Sequence, residues 1–419
     1  MAALLFIVFL LLIVINVPIA IALALSSVLI MAIIGEIPLI MLPQKMFAAL
    51  DSFPLMAAPF FILAGKLMEI GGISERLVNF ANSLVGQLKG GLAHVSLVAC
   101  MFFAAISGSG SATTAAIGGI MIPAMVKAGY DRNFATAVQA AGGTTGIIIP
   151  PSVPLVLYGV SAGVSISGLF IAGILPGILI GLSLMFVAYV ISKKEGYGAG
   201  AERTKLWKSF KEAILALLMP AIILGGIYGG FFTPTEASVV AVVYGFVIGT
   251  FVYKQINFKT LHTILVESVI TTSVILFIIG SASIFGMLLT REQVPQTIAG
   301  SLMDASIPPF LTLILINLLL LVVGTFMEAI AAIVILTPIL LPVVTSIGMD
   351  PIHFGIIMTA NLAIGLITPP VGVSLFVGAR VGNTQFEPLV RAIIPFIIMM
   401  IISILIITFV PQLSLMFLD

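Results

Sequence analysis

Serine alternates with glycine in segment 107–111, which reads Ser-Gly-Ser-Gly-Ser, and Thr144, Thr145 and Ser152 form a second hydroxyl cluster. Hydroxyl and carbonyl oxygens are the ligands that hard cations such as Na⁺ prefer. Glycine allows close backbone approach and positive φ. The two clusters therefore predict a cation site. The alternative is a contact of small residues between packed helices.

Proline pairs interrupt two apolar segments, at Pro150-Pro151 and at Pro369-Pro370. Each pair removes two backbone donors and disfavours helix at the preceding residue, so nearby carbonyl groups lose their intrahelical partners. In hydrocarbon, irregular backbone is tolerated only where protein, water or a ligand satisfies it. Two such breaks predict a polar site inside apolar surroundings. The alternative is that neighbouring helices absorb ordinary proline kinks.

The amino-acid composition indicates the class of protein in which these residues lie. Of 419 residues, 61% are hydrophobic and 8% are charged, whereas a soluble domain has roughly 25% charged residues. A net charge of +1 gives no basic face for nucleic acid, and one cysteine and three scattered histidines exclude disulfide scaffolds, structural zinc and haem. No transition metal is expected. Because the apolar runs are continuous and long, we predict an all-α polytopic membrane protein.

The apolar runs predict the helices that must position the chemistry. Passes are predicted near 3–34, 54–70, 91–126, 133–158, 166–192, 213–231, 235–253, 263–290, 309–344, 352–379 and 392–411. The first is interpreted as one tilted helix, with Pro18 as a candidate kink. Runs 91–126 and 309–344 have Gly with Ser or Thr at their middles, so both are interpreted as re-entrant hairpins.

Loop charges predict the orientation. Placing loop 193–212 in the cytoplasm, with a cytoplasmic N-terminus, puts most of the seventeen basic residues inside, as the positive-inside rule requires. Lys45 and Arg291 then lie outside, and Lys66 lies near an inner membrane boundary. The first hairpin enters from inside and the second from outside.

The two halves of the chain repeat one order of features. Segment 107–111 precedes the break at Pro150, and segment 324–328, Gly-Thr-Phe-Met-Glu, precedes the break at Pro369. Because the two hairpins enter from opposite faces, this is an inverted repeat. Matched interrupted segments in two halves indicate a midplane binding site of a secondary transporter.

At these residues the sequence resembles the large membrane subunit of tripartite ATP-independent periplasmic (TRAP) transporters, within the ion transporter superfamily. The resemblance covers nearly the whole chain and rests on segments 106–115, 149–152, 229–238, 324–328 and 367–372. It implies an elevator mechanism in the bacterial inner membrane, importing an organic acid, either a C4-dicarboxylate or a sialic acid-like sugar acid. It further implies Na⁺ as coupling ion, no organic cofactor, a separate small four-helix membrane subunit and a periplasmic substrate-binding protein.

The resemblance also implies a division into a scaffold and a transport domain. Scaffold helices and an interfacial helix would occupy 1–90, further scaffold helices 166–308, and a last scaffold helix 386–419. The transport domain would comprise 91–165, with hairpin 91–126 and broken helix 133–158, and 309–385, with hairpin 309–344 and broken helix 352–379.

Two sodium sites and one substrate site are predicted from the motifs and the repeat. The first sodium site comprises Ser107, Gly108, Gly143, Thr144, Ile147, Ile149 and Pro150. The second comprises Gly324, Thr325, Gly365, Ile367 and Thr368, with helix packing as an equal alternative. The predicted substrate residues are Ser107, Ser109, Ser152, Glu328 and Arg380.

Each charged or capping candidate has a structural alternative. An intramembrane acid such as Glu328 usually faces a polar cavity, yet it could cap a half-helix. Arg380 could bind a carboxylate or extend to the cytoplasmic interface. Ser152 could meet an anion at a helix N-terminus or simply cap it. Glu236 fits a capping box with Thr233, and Glu267 receives no assignment.

Two other function classes are alternatives to a TRAP subunit. A stand-alone sodium- or proton-coupled carboxylate symporter of the same superfamily would need neither partner. An intramembrane enzyme is not supported, because no His-Glu-x-x-His metal pair and no Ser/His pairing on neighbouring passes is present.

Overall fold

The computed structural model describes residues 2–35, 37–198, 206–304 and 307–418, and in these ranges every regular element is a helix. Arg203 and Lys205 of the charged loop lie outside the described residues. In chain order the α-helices are α1 (Ala2–Val14), α2 (Ile19–Ile34), α3 (Met41–Leu50), α4 (Ala57–Ile70), α5 (Ile73–Val85), α6 (Gly91–Ser107), α7 (Gly110–Lys127), α8 (Arg132–Gly143), α9 (Thr145–Ile148), α10 (Val153–Ala162), α11 (Ile166–Glu195), α12 (Leu206–Tyr228), α13 (Pro234–Val247), α14 (Phe258–Arg291), α15 (Val294–Asp304), α16 (Pro309–Phe326), α17 (Ala329–Ser346), α18 (Pro351–Gly365), α19 (Val373–Gly382), α20 (Phe386–Phe409) and α21 (Gln412–Leu415).

Eight helical segments of the described chain are long and apolar enough to cross a membrane. A ninth is formed if α3 is counted with the segment Pro54–Ile70, to which it is bent by 68°. A short 3₁₀ turn, Pro54–Met56, begins that segment, and a π-helical turn, Ile248–Val252, extends α13. The predicted all-α polytopic membrane fold is confirmed.

The prediction of one helix over 3–34 is wrong, because the structure has two helices, α1 and α2. Asn16 lies in the left-handed region with φ of 67°, and Pro18 precedes the first residue of α2. Proline disfavours helix at the residue before it, so the chain leaves the helix at 15–18 instead of bending through it. Asn16 and Pro18 mark the break in the sequence, but a single proline in an apolar run is also compatible with one kinked helix.

The first predicted hairpin forms at the expected residues. Arms α6 and α7 pack against each other and are joined by Gly108 and Ser109. Gly108 has φ of 59°, a left-handed conformation that glycine adopts without strain. The Ser109 hydroxyl accepts from the amide of Ala112 at 3.4 Å and so caps α7.

The arms of the second hairpin, α16 and α17, are joined at Met327 and Glu328 and diverge more than those of the first. Helix α16 packs mainly on α18, whereas α17 packs on α10, α14 and α15. The Glu328 carboxylate accepts from the amide of Ile330 at 2.9 Å and caps α17. The turn residue is therefore also an N-cap.

Both broken helices also form where the proline pairs predict. The first runs through α8 and α9, unwinds at 149–152 and continues as α10, while the second runs through α18, unwinds at 366–372 and continues as α19. Each proline pair includes a cis peptide bond. The carbonyl of Leu366 accepts from the amide of Ser374 at 2.9 Å, so backbone groups freed by the break are partly satisfied by the next helix.

The broken helices lie at the centre of the molecule. Helix α18 is buried at every position from His353 to Gly365, as expected for a helix that is apolar on all sides. A buried polar contact fixes it, because Asn361 Nδ2 donates to Asn317 Oδ1 on α16 at 2.7 Å, and Thr408 Oγ1 on α20 donates to the same oxygen at 3.3 Å. Such hydrogen bonds hold membrane helices together where lipid provides no hydrophobic driving force.

Candidate functional site

A cavity of about 400 Å³ lies between the two hairpin tips and two long helices. One wall consists of the first tip, from Ser107 to Ala112, and of Glu328 and Ile330 at the second tip. The opposite wall consists of α4 and α14, hereafter the wall helices, which contribute Lys66 and Thr271 among others. Both halves of the chain thus contribute to one site.

Four helices place their first turn at this cavity. The lining includes Gly110 of α7, Val153 of α10, Ile330 of α17 and Val373 of α19. The amides of a first helical turn lack intrahelical acceptors, and the helix dipole adds partial positive charge there. Helix N-termini that converge on one cavity favour an anion inside it.

The charged side chains of the cavity are few. Among the described lining residues, Lys66 is the cation, and Glu69 and Glu328 are the acids. Lys66 Nζ lies 3.3 Å from Glu69 Oε2 on the same helix and 3.3 Å from Glu267 Oε2 on α14. Lys66 therefore connects the two wall helices, and Glu267, unassigned from the sequence, is its partner.

Glycines bring the first tip into backbone contact with its neighbours. A Cβ on Gly108 would lie 3.0 Å from the carbonyl oxygen of Pro151, and one on Gly110 would lie 3.2 Å from that of Gly143. A Cβ on Gly65 of α4 would lie 3.1 Å from the carbonyl oxygen of Ser107. Larger residues would separate these segments, so glycine is required for the close approach.

Hydroxyl groups form a chain at the first tip. The Ser107 and Thr113 hydroxyl oxygens lie 3.0 Å apart, and Thr113 Oγ1 donates to the Ser109 carbonyl at 2.7 Å. Ser107 is buried, with 7% exposure, yet it lines the cavity, as Ser109 does. The tip therefore presents several oxygen atoms within a small volume.

The other residues predicted for the first sodium site are placed unequally. Ile147 lines the cavity, and Gly143 faces Gly110. The Thr144 hydroxyl donates to the carbonyl of Ala141 at 2.6 Å and faces α20, while the Ile149 side chain packs on α11 and Pro150 is buried. None of these last three residues lines the cavity.

In the second predicted sodium site, the backbones of Gly324 and Gly365 are in direct contact, so that a Cβ on Gly365 would overlap Gly324. The Thr325 hydroxyl donates to Val322 at 2.7 Å, and the Thr368 hydroxyl donates to Ile364 at 2.8 Å. Ile367 is fully buried. The structure brings the tip and the break together, as the repeat predicts.

Two predicted substrate residues do not line the cavity. Ser152 is fully buried, and its hydroxyl donates to the carbonyl of Ile147 and accepts from the amide of Leu155. Its capping role is therefore the one that the structure displays. Arg380 is exposed on the last turn of α19, outside the cavity, because the first turn of that helix lines the cavity instead.

Other expectations for acidic residues can be compared directly. The capping box is confirmed, since the Thr233 amide donates to Glu236 Oε2 at 2.8 Å and the Glu236 amide donates to Thr233 Oγ1 at 3.3 Å. Glu328 both caps α17 and lines the cavity.

Sequence reasoning overlooked Lys66 and Glu69 as site residues and treated Lys66 only as an orientation marker. A signal was available, because these two charges lie three positions apart inside the apolar run 57–70. Ionisable residues inside a membrane segment usually face a cavity and pair with one another.

Comparison with known proteins identifies the family of the chain. The family model of the tripartite ATP-independent periplasmic transporter, DctM component, matches residues 6–413. The chain therefore belongs to the DctM family of TRAP transporters. Homologues of this DctM-family protein are transporter permease subunits, not enzymes.

Three relatives are similar over most of this DctM-family chain. It is 49% identical, over 98% of its length, to the isethionate TRAP transporter permease protein DctMQ of Oleidesulfovibrio alaskensis, and it spans 65% of that longer protein. It is 43% identical to the sialic acid TRAP transporter large permease protein SiaM of Vibrio cholerae, covering 89% of this chain and 88% of that one. It is also 43% identical to the C4-dicarboxylate TRAP transporter large permease protein DctM of Pseudomonas aeruginosa, over 88% and 87%.

A solved structure shares the fold of this DctM-family chain. The YdaH transporter of Alcanivorax borkumensis superposes with a TM-score of 0.63 at 18% identity, covering 88% of this chain and 86% of that one. The crystal structure of that transporter has an unusual topology.

Proposed function

We propose that this DctM-family protein is the membrane permease through which a sodium-coupled TRAP transporter imports a small organic acid. The observation that carries the proposal is the convergence of four helix N-termini on one cavity between the two tips. An anion in that position receives amide donors and positive dipole ends from both halves of the chain. A volume of about 400 Å³ suits a small solute, because ligand pockets occupy about 300–1,000 Å³.

The relatives support an acid as the solute. Their names specify isethionate, sialic acid and C4-dicarboxylates, which are all acids that are anionic at neutral pH. We therefore take these three solutes as the candidates for this chain. The periplasmic binding protein that delivers the solute and the small four-helix membrane subunit, as a separate chain, belong to the same proposal.

Sodium coupling has an electrostatic rationale. The lining side chains include two acids, Glu69 and Glu328, and one cation, Lys66, so an entering anion would add to a local excess of negative charge. Bound cations at the tips would offset that excess. The carbonyl and hydroxyl oxygens of Ser107, Gly108 and Gly143 form the proposed first site, and the contact of Gly324 with Gly365 forms the proposed second site.

An elevator movement is supported by the contacts between each hairpin tip and its broken helix. The first tip is in backbone contact with its own broken helix, and the second tip with Gly365 of its broken helix. The wall helices line the other side of the cavity, and α4 also touches the first tip where Gly65 meets the Ser107 carbonyl. Each tip and its broken helix would move together against the wall helices, in an inner membrane with the N-terminus in the cytoplasm.

The test is uptake into proteoliposomes that contain the complex. The chain is co-purified with the small subunit and combined with the binding protein encoded by adjacent genes. Radiolabelled isethionate, succinate and sialic acid are offered with an inward sodium gradient or an equal potassium gradient. We expect uptake of one acid that requires both the binding protein and sodium.

Two results would change the proposal. Robust uptake of free acid by this chain alone would favour the stand-alone symporter and remove the tripartite assignment. Equal uptake in sodium and potassium gradients would remove sodium as the coupling ion while leaving the permease assignment in place.

A further inference from the structure

The ammonium group of Lys66 lies between two carboxylates. Lys66 Nζ is paired with Glu69 and Glu267, each at 3.3 Å. Its side chain retains 28% exposure, and it lines the cavity beside the first tip. An ammonium group has three donors, so pairing with two carboxylates leaves one donor for a further acceptor.

The position of Lys66 relative to the tip is fixed by its neighbour. Gly65 packs against the Ser107 carbonyl so closely that a Cβ would lie 3.1 Å from that oxygen. Lys66 therefore lies one residue from the contact between wall helix and tip. A solute held at the helix N-termini of the tips would have its opposite side facing this lysine.

The two carboxylates differ in how readily they can be replaced. Glu69 is on the same helix as Lys66, three residues away, and its side chain is 21% exposed. Glu267 comes from α14 and is 48% exposed. Because Glu267 is the more exposed of the two and is held from a different helix, its pair with Lys66 is the one that a solute can displace.

We propose that Lys66 binds the acid group of the transported solute on the wall-helix side of the cavity, and that Glu267 is the partner which the solute displaces. The inference rests on the proposed function and adds a recognition residue to it. Lys66 belongs to a wall helix, so its contact with the solute ends when the tips move away. The solute therefore binds more tightly when the tips lie against the wall helices than when they have moved away. A ligand shifts a conformational equilibrium only through such a difference in affinity.

The experiment measures binding separately from delivery. The purified complex with its small subunit is titrated in sodium buffer with isethionate, succinate or sialic acid, and the dissociation constant is obtained from ligand-induced thermal stabilisation. Uptake with saturating binding protein is measured in parallel. The variants are K66Q, K66R, E267Q and the double variant K66Q/E267Q, and K259Q provides a matched control at an exposed lysine of α14.

Lys66→Gln is expected to raise the dissociation constant about tenfold or more, the usual effect of losing a hydrogen bond to a charged group, while K66R and K259Q retain binding. Glu267→Gln is expected to lower the dissociation constant, because the competitor of the solute has lost its charge. K66Q/E267Q should behave like K66Q, since the benefit of E267Q requires Lys66.

Equal binding by K66Q, K259Q and the wild type would overturn the inference and reduce Lys66 to a strut between α4 and α14. An E267Q variant that binds more weakly than the wild type would overturn it as well, even if K66Q failed to fold. If the wild-type complex itself neither binds nor transports any of the three acids, the proposed function fails, and the inference fails with it.

Discussion

Ser107 combines three properties at one position. Its hydroxyl lies 3.0 Å from that of Thr113, its carbonyl contacts the wall helix at Gly65, and it lines the cavity. We expect Ser107→Ala to raise the sodium concentration for half-maximal uptake by about tenfold. Expression should persist, because Thr113 keeps its bond to the Ser109 carbonyl at 2.7 Å. The measurement is uptake against sodium concentration.

A matched control for that measurement is Ser83→Ala. Ser83 is half-buried on α5, where its hydroxyl donates to the carbonyl of Phe80 at 2.6 Å, and it does not line the cavity. Its sodium dependence should equal that of the wild type. If S107A and S83A show the same sodium activation, Ser107 has no part in the cation site.

Glu328 offers a way to separate charge from capping. Its carboxylate accepts from the Ile330 amide at 2.9 Å, and a glutamine carbonyl can accept the same bond. We expect E328Q to retain thermal stability and to lose at least about tenfold in uptake, because the cavity loses a charge. E328A should lose uptake and also about 1 kcal/mol of stability through the missing cap.

Uptake and thermal unfolding of both Glu328 variants decide between the two roles. Near-normal uptake by E328Q together with a destabilised E328A would reduce Glu328 to a structural cap.

Site residues that belong to a local motif could be predicted from the sequence. The Ser-Gly alternation at 107–111 and the acid at 328 are visible as letters, and both line the cavity. The partnership of Lys66 with Glu267 depends on how two distant helices pack, which no local pattern encodes. For the same reason the exposed position of Arg380 could not be distinguished from a position in the cavity.

At the scale of elements, the contact of α16 with α18 sets how tightly the second tip meets its broken helix. A Cβ on Gly365 would overlap the backbone of Gly324. We therefore expect Gly365→Ala to push these helices apart and to cost about 1–3 kcal/mol, the usual range for overpacking. Uptake should fall with it, because the proposed second sodium site lies at this contact.

The matched control is Gly225→Ala in α12, where an added Cβ meets no atom within 4 Å. In open space this substitution should be neutral or stabilise the helix by about 0.5–1 kcal/mol. Thermal unfolding of the two variants in detergent gives the comparison. Equal unfolding temperatures for G365A and G225A would show that the two helices can separate without cost.

The two proline pairs were sufficient to locate a break in a helix, whereas the single Pro18 was interpreted only as a candidate kink. Both proline pairs end a helix where they should, at 149–152 and 366–372, because proline removes donors whatever surrounds it. The run 3–34 was predicted as one helix although it contains a break near Asn16. Hydrophobicity sets how much chain can lie in lipid, but it does not say where that chain folds back.

At the scale of the whole molecule, the charges of the loops and the charges of the cavity have separate tasks. Basic residues at 193, 194, 208 and 211 lie at the facing ends of α11 and α12, and the positive-inside rule predicts that this side is cytoplasmic. The few charges inside the bundle line the cavity or pair with residues that do. The predicted orientation and the proposed solute recognition therefore depend on different residues.

The orientation can be tested at the two ends of α12. This helix has 23 residues, about 35 Å at 1.5 Å per residue, which is enough to cross a hydrocarbon core of about 30 Å. Lys208 is exposed on the first turn of α12, and Phe231 is exposed three residues beyond its last residue, Tyr228. The single native cysteine, Cys100, is fully buried, so replacing it with alanine gives a background free of thiols.

In that background we expect Phe231→Cys to react with a membrane-impermeant maleimide in intact cells, and Lys208→Cys to react only after permeabilisation. The reason is that the basic residues beside Lys208 are retained on the cytoplasmic side. Each variant serves as the control for the other, because the two positions flank the same membrane-crossing segment. The reverse labelling pattern would mean that the predicted topology is inverted. The first hairpin, which carries Ser107, would then enter the membrane from the periplasm.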